Sequence, residues 1–217
     1  MIKGVLFDMD GTMLDTEPVS ERCWKQAAQD YGFVIDDQFM QELFGKNLTT
    51  IREMLINILK TGETTEKIVE GRENYYVQFL LEEEVPKKKG LMDILQYLKE
   101  NQIPAAVCTS TEKEIAELAL KRAGIYEYFD AFVFGNMVTR GKPDPQGFQM
   151  AAEMLGLASE ECLVLEDSIN GVLAGKRAGG YVIHIPDVVE VPADVKDGIT
   201  AEMKDLNEVL CWLEKRE

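Results

Sequence analysis

The sequence predicts an α/β protein: a doubly wound parallel sheet with helices on both faces, interrupted near its start by an α-helical insert. Three observations predict it. Short apolar runs of buried-strand length recur at Val5–Phe7, Pro104–Cys108, Ala131–Phe134, Cys162–Leu165 and Tyr181–Ile185. From Leu91 onward they alternate with stretches of helical periodicity, the pattern of a parallel sheet. Between Asp15 and Leu81 no convincing strand pattern occurs.

In chain order, the first run ends abruptly in Asp8-Met9-Asp10-Gly11-Thr12. On an extended chain, residues two apart point to one side, so Asp8 and Asp10 can line one pocket. Two anions so close repel, and one must protonate unless a cation joins them. Gly11 permits the sharp turn that follows; Asp and Gly are also ordinary turn residues, so the stretch taken alone reads equally as a strand ending in a turn. A helix is expected over Val19–Tyr31, with Val19, Cys23, Trp24, Ala27, Ala28 and Tyr31 inward, Pro18 near its start and Gly32 at its end. Phe39–Phe44, closed by Gly45, is a second helix. Leu48–Leu59 is a third, with Ile51, Met54, Leu55, Ile58 and Leu59 on one face. Thr64–Leu81 is the fourth and longest.

The reversal from Glu82-Glu83-Glu84 to Lys87-Lys88-Lys89 around Pro86 marks a boundary, and the lysine run reads as a solvated turn. Helices are then expected over Leu91–Glu100, Lys113–Arg122, Phe148–Leu155, Ile169–Ala178 and Leu206–Leu213, several closed by glycine. The chain thus divides into a core of residues 1–16 and 84–217 and an inserted helical domain of residues 17–83.

Composition narrows the function. Twenty-three basic residues face 39 acidic ones, a formal charge of −16, which disfavours nucleic acid and anionic membranes as partners. An anionic substrate would need positive charge supplied locally. No apolar segment reaches transmembrane length, and Asp8 and Asp10 interrupt the only apolar run near the N-terminus, so no signal peptide is expected. Cys23, Cys108, Cys162 and Cys211 form no C-x-x-C pair and read as buried free thiols of a cytoplasmic protein. His184, the single histidine, lies in an apolar run and reads as structural, which disfavours a serine–histidine triad or a multi-histidine metal site.

Polar residues collect where strands end. Thr109-Ser110 follows the second strand, Lys142 lies in a Gly-Lys-Pro loop, and Glu166-Asp167 ends the fourth strand. Each has an ordinary reading: a helix cap, a plain loop, carboxylates at a helix start. In parallel sheets, however, ligands bind beyond the strands' carboxyl ends, where strand order reverses. Carboxylates without a histidine or thiolate cluster suit a hard cation such as Mg2+. Lys142 and donors around Thr109 and Ser110 suit a phosphoryl group, which an aspartate can attack.

This arrangement resembles the haloacid dehalogenase superfamily of phosphotransferases over nearly the whole chain, and most closely its subfamily with a helical cap after the first motif, the group of β-phosphoglucomutases and small phosphate-ester phosphatases. Asp8-Met9-Asp10-Gly11-Thr12 matches the first motif, Thr109 the second, Lys142 the third and Glu166-Asp167 the fourth. The resemblance implies a Rossmann-like core and a mobile cap hinged near Asp15–Pro18 and Glu82–Pro86. It implies Asp8 as nucleophile and Asp10 as general acid, then base. Thr109 and Lys142 would hold phosphate. Asp8, the Asp10 carbonyl, Asp167 and Glu166 would hold Mg2+. Lys46 and Arg72 are candidate substrate contacts from the cap.

The departures are informative. Ser20 stands where β-phosphoglucomutases carry a cap histidine, and the loop Gly45-Lys46-Asn47-Leu48-Thr49 lacks their arginine. The expected protein is therefore a monomeric Mg2+-dependent phosphatase of a small phosphomonoester such as a sugar phosphate. A phosphomutase of the same fold is the alternative, and a non-enzymatic phospho-accepting switch of the response-regulator type is a third. A dehalogenase fits the acidic fourth motif poorly, and a phosphonatase would need a cap lysine such as Lys25 or Lys46.

Overall fold

A computed structural model of the chain describes residues 2–44, 46 and 48–216. Contacts divide these into two compact units, residues 1–15 with 85–217 and residues 16–84.

The first unit is built on β1 (Gly4–Phe7), β2 (Ala105–Cys108), β3 (Ala131–Val133), β4 (Cys162–Glu166), β5 (Tyr181–His184) and β6 (Ala201–Glu202). They form one sheet in the order β3-β2-β1-β4-β5-β6, every neighbouring pair parallel. From β1 the chain moves outward through β2 and β3, then returns to the other side of β1 for β4. Strand order therefore reverses at β1, which puts the crevice of such a sheet at β1's carboxyl end. β1, β2 and β4 are buried throughout, which is why they read as unbroken apolar runs. Burying a side chain such as Leu6 or Phe7, both 0% exposed, contributes about 1.5–3 kcal/mol each.

The second unit is wholly helical among its described residues: α1 (Glu17–Gln29), α2 (Asp37–Leu43), α3 (Leu48–Leu59) and α4 (Gly62–Glu82). α1 packs along α4. A Cβ on Gly71 of α4 would sit 3.3 Å from the Ala27 Cβ, so small residues set that close approach. Three expectations change here. α1 stops at Gln29, leaving Tyr31 47% exposed instead of inward. The buried stripe of α3 is Ile51 and Leu55, and the last turn leaves Ile58 46% exposed. The helix stop expected at Gly45 lies outside the described residues, as does Asn47; α2 ends at Leu43, with Asp36 capping its start.

The sheet is covered by α5 (Leu91–Glu100), α6 (Lys113–Arg122), α7 (Gln146–Met154) and α8 (Ile169–Ala178). A short α9 (Ala193–Lys196) and a terminal α10 (Leu206–Glu214) follow. The two-residue β6 and one-turn α9 are too short to show periodicity, so they have no sequence signature. Cys23, Cys108 and Cys162 are buried free thiols, whereas Cys211 is exposed, contrary to expectation, because it lies on the outer face of α10. Among the described residues no helix is long and apolar enough to cross a membrane.

Candidate active site

Asp8 follows β1 directly, its backbone N–H donating to the Leu165 carbonyl at 3.0 Å. Met9 is fully buried, so Asp8 and Asp10 flank an anchored residue. Gly11, at φ 87°, then turns the chain: its N–H reaches the Leu14 carbonyl at 2.9 Å, and Leu14 N–H returns to the Met9 carbonyl at 3.0 Å. A side chain at Gly11 would overlap Asp167, so glycine is required by space as well as by φ.

Lys142 reaches into the cluster from the loop after β3. Its ammonium donates to Asp8, to Glu166 Oε1 at 2.7 Å and to the Cys108 carbonyl at 3.0 Å. Glu166, 0% exposed, ends β4; its other oxygen accepts from the Ser168 N–H at 2.9 Å and hydroxyl at 3.0 Å. Ser168 in turn caps α8 by accepting from Gly171 N–H at 3.0 Å. A Cβ on Gly171 would overlap the Glu166 carboxylate, so this glycine gives the carboxylate its room. Asp167 accepts from the Thr12 hydroxyl at 2.9 Å. Thr109, 5% exposed after β2, accepts from Thr111 N–H at 3.0 Å, which leaves its hydroxyl proton to donate elsewhere. Neither Thr109 nor Ser110 caps α6, whose N-cap position is Glu112. Ser110 is exposed.

The electrostatics of the cluster are unbalanced. Oxygens of Asp8, Glu166 and Asp167 lie within 4.8 Å of one another, and one ammonium faces three carboxyls. Burial pushes the Asp8 carboxyl well above the usual range, with Glu166 and Asp10 adding to it, against the Lys142 charge. Burial raises Asp167 likewise, with Glu166 and Asp8 next in importance. Burial disfavours the Lys142 ammonium, but Asp8 and Glu166 overcome this and hold its proton affinity well above the ordinary value. The Cys108 thiol is pushed up to about 12 by burial, so it stays protonated and is no nucleophile. A divalent cation bound by oxygen would supply the missing positive charge. The donor set, all carboxylate and carbonyl oxygen, fits a hard ion such as Mg2+.

Comparison with known proteins decides the family. Residues 2–179 match the model for haloacid dehalogenase-like hydrolases. The chain belongs to the haloacid dehalogenase-like hydrolase family. Within it, the chain is 33% identical to hexitol phosphatase A of Escherichia coli K12 over 215 residues, covering 98% of this chain and 92% of that one. It is 32% identical to the fructose-1-phosphate phosphatase YqaB of the same organism over 182 residues, 84% of this chain and 95% of that one. A crystal structure of a putative β-phosphoglucomutase from Thermotoga maritima superposes with a TM-score of 0.80 at 27% identity, covering 99% of each chain.

Set against the family's motifs, Asp8, Asp10, Thr109, Lys142, Glu166 and Asp167 all follow strand ends at the carboxyl edge of the sheet, in one unit. Lys46 and Arg72 belong to the helical unit. Lys46 is exposed; Arg72 donates to the Ser20 hydroxyl at 2.9 Å and stacks over Trp24 and Tyr76. Sequence reasoning missed several supports. The Thr111 hydroxyl donates to Asp10 Oδ2 at 2.8 Å, and its spacing of two from Thr109 was an available signal. Thr12 and Ser168 sit inside or beside motifs whose neighbours drew attention first. Lys88 is no solvated turn residue, because its ammonium pairs with Asp187 at 2.6 Å and Asp15 at 3.0 Å. His184 is buried, with Nε2 3.1 Å from the Asp167 carbonyl and Nδ1 2.9 Å from Glu202, so it braces the fourth motif from below.

Proposed function

We propose that this hydrolase is a Mg2+-dependent phosphatase of a small phosphomonoester, a sugar phosphate class of substrate, working through an aspartyl-phosphate on Asp8. The observation that carries the reading is the joint placement of Asp8, Lys142, Glu166 and Asp167, with their oxygens within 4.8 Å. The named activities of the two E. coli relatives supply the substrate class.

Asp8, Asp167 and the Asp10 carbonyl would hold the ion, with Glu166 at its edge. When bound, the ion neutralises carboxylate and phosphate charge and keeps Asp8 ionised. Thr109 and Lys142 bind phosphate oxygens and set the phosphorus in line with Asp8. Asp8 attacks phosphorus; its P–O bond forms as the bond to the leaving oxygen breaks. Asp10, oriented by Thr111, gives its proton to that oxygen. Asp10 then takes a proton from water, whose oxygen attacks the same phosphorus, releasing phosphate and restoring Asp8. The residues positioned here act chiefly by orientation and charge stabilisation.

In this reading the helical unit is a cap whose closure excludes water, with Lys46 and Arg72 serving the substrate's non-reacting end. A half-buried guanidinium whose Nε has no partner among the described residues supports that assignment for Arg72. The protein is read as cytoplasmic and monomeric. The direct test is release of nitrophenol from p-nitrophenyl phosphate with MgCl2. The wild type is expected to turn over and Asp8→Asn to be inactive; undiminished activity in that variant would sink the mechanism.

The phosphomutase reading is second, favoured by the name of the T. maritima neighbour. Against it stands Ser20, a hydroxyl held by Arg72, which is no titratable base near neutral pH. Isomerisation of a hexose phosphate without phosphate release, followed by 31P NMR, would favour the mutase.

A further inference from the structure

One carboxylate beside the cluster is unaccounted for. Asp187 lies three residues beyond β5, with its side chain 13% exposed. Its Oδ1 accepts from the Lys88 ammonium at 2.6 Å. Its Oδ2 is buried and has no hydrogen-bond partner among the described residues. Such an atom is uncommon in a folded protein and calls for an explanation, an unmodelled ion's water being one of the usual ones.

The position of Oδ2 says where that partner must come from. A Cβ built on Gly11 would overlap Asp167 Oδ2 and would lie 3.0 Å from Asp187 Oδ2. Both oxygens therefore converge on the same face of the Gly11 backbone, beside Asp8 and Asp10. Asp187 nonetheless falls outside the set of carboxylates whose oxygens lie within 4.8 Å of one another. It is too far to join them as a direct ligand and near enough to reach the next shell. Lys88 fixes the arrangement: its backbone N–H donates to the Met13 carbonyl at 2.8 Å, so the ammonium that aims Asp187 is itself tied to the first-motif loop.

We propose that Asp187, aimed by Lys88, is an outer positioning carboxylate of the metal centre, its Oδ2 accepting a hydrogen bond from the hydration shell of the ion held at Asp8 and Asp167. Mg2+ dehydrates reluctantly and keeps several waters, so a carboxylate one shell out has donors to accept from. The proposal rests on the metal reading given above. Lys88 serves here to neutralise Asp187, which would otherwise add a fourth anion to the cluster.

The test is Mg2+ affinity, read by titration calorimetry on the whole chain at fixed pH. Asp187→Asn keeps shape and the bond from Lys88 but presents an amide donor to the hydration shell. It is expected to weaken Mg2+ binding about tenfold or more, the usual effect of losing such a partner. Asp187→Ser, too short to reach, is expected to do the same. Asp15→Asn removes only the half-exposed second partner of Lys88 and is expected to change affinity by less than about twofold. The rise in melting temperature on adding Mg2+ should shrink in parallel for the two Asp187 variants. Wild-type affinity in folded Asp187→Asn and Asp187→Ser would overturn the proposal and leave Asp187 a purely structural anchor. A wild type that binds no Mg2+ would overturn the metal reading itself, a distinguishable failure.

Discussion

Asp10 shows how a single residue's role depends on its neighbour. As a carboxyl that must give and then take a proton, it needs a fixed orientation, and the Thr111 hydroxyl supplies one at 2.8 Å. Thr111→Val removes that bond with little change in volume. Turnover of an alkyl phosphate is expected to fall about 10- to 100-fold, within the range of general acid contributions. Turnover of p-nitrophenyl phosphate should fall much less, because nitrophenolate leaves without needing a proton. Equal losses on both substrates, measured as kcat, would assign Thr111 to phosphate binding instead. The principal residues were legible because each stands immediately after an apolar run or in the loop beyond one. Thr111 was within reach of the same reasoning. The Lys88–Asp187 pair was not: the two are 99 positions apart, and the run Lys87-Lys88-Lys89 looks solvated until the fold brings Asp187 to it.

At the scale of elements, the site depends on where β4 hands over to α8. Ser168 accepts from Gly171 to cap the helix while donating to Glu166. Ser168→Ala is expected to cost about 1 kcal/mol, the usual cost of a lost N-cap. In a chain of this size that lowers the melting temperature by about 2–4 °C. A thermal scan showing no loss would mean that Glu166 and the helix start are held by other contacts. Strands β1, β2 and β4 were readable because burial on both faces leaves an unbroken apolar run. Helix ends were less so. α1 ends before Tyr31 although that residue keeps the apolar spacing, because the chain turns at Gly32, at φ 73°. β6 and α9 are too short for any period to register.

For the molecule as a whole, the cluster links protonation, metal and stability. Asp8 and Asp167 hold protons more tightly in the folded chain than carboxyls ordinarily do. In the unfolded chain they titrate near the usual value of about 3.9. Their contribution to stability is fully present below that value and is lost as pH rises through the raised folded values. The metal-free protein should therefore gain from Asp167→Asn, and the gain in melting temperature over wild type should grow as pH rises toward neutrality. Mg2+ competes with the same protons, so its stabilisation of the wild type should also grow with pH. A pH-independent difference between the two proteins would show that Asp167 ionises as freely folded as unfolded. The parallel sheet itself was foreseeable from alternation of strand and helix. That β1 is where strand order reverses, and so where the site must lie, is a property of the whole sheet.

The central claim is that Asp8 receives the phosphoryl group, and chemical trapping tests it most directly. Borohydride added during steady-state turnover of a phosphomonoester with Mg2+ reduces an acyl phosphate to the alcohol. Peptide mass spectrometry should then find homoserine at position 8, and only with substrate and Mg2+ present. Homoserine at Asp10, or unmodified Asp8 in protein that is releasing phosphate, would contradict the account.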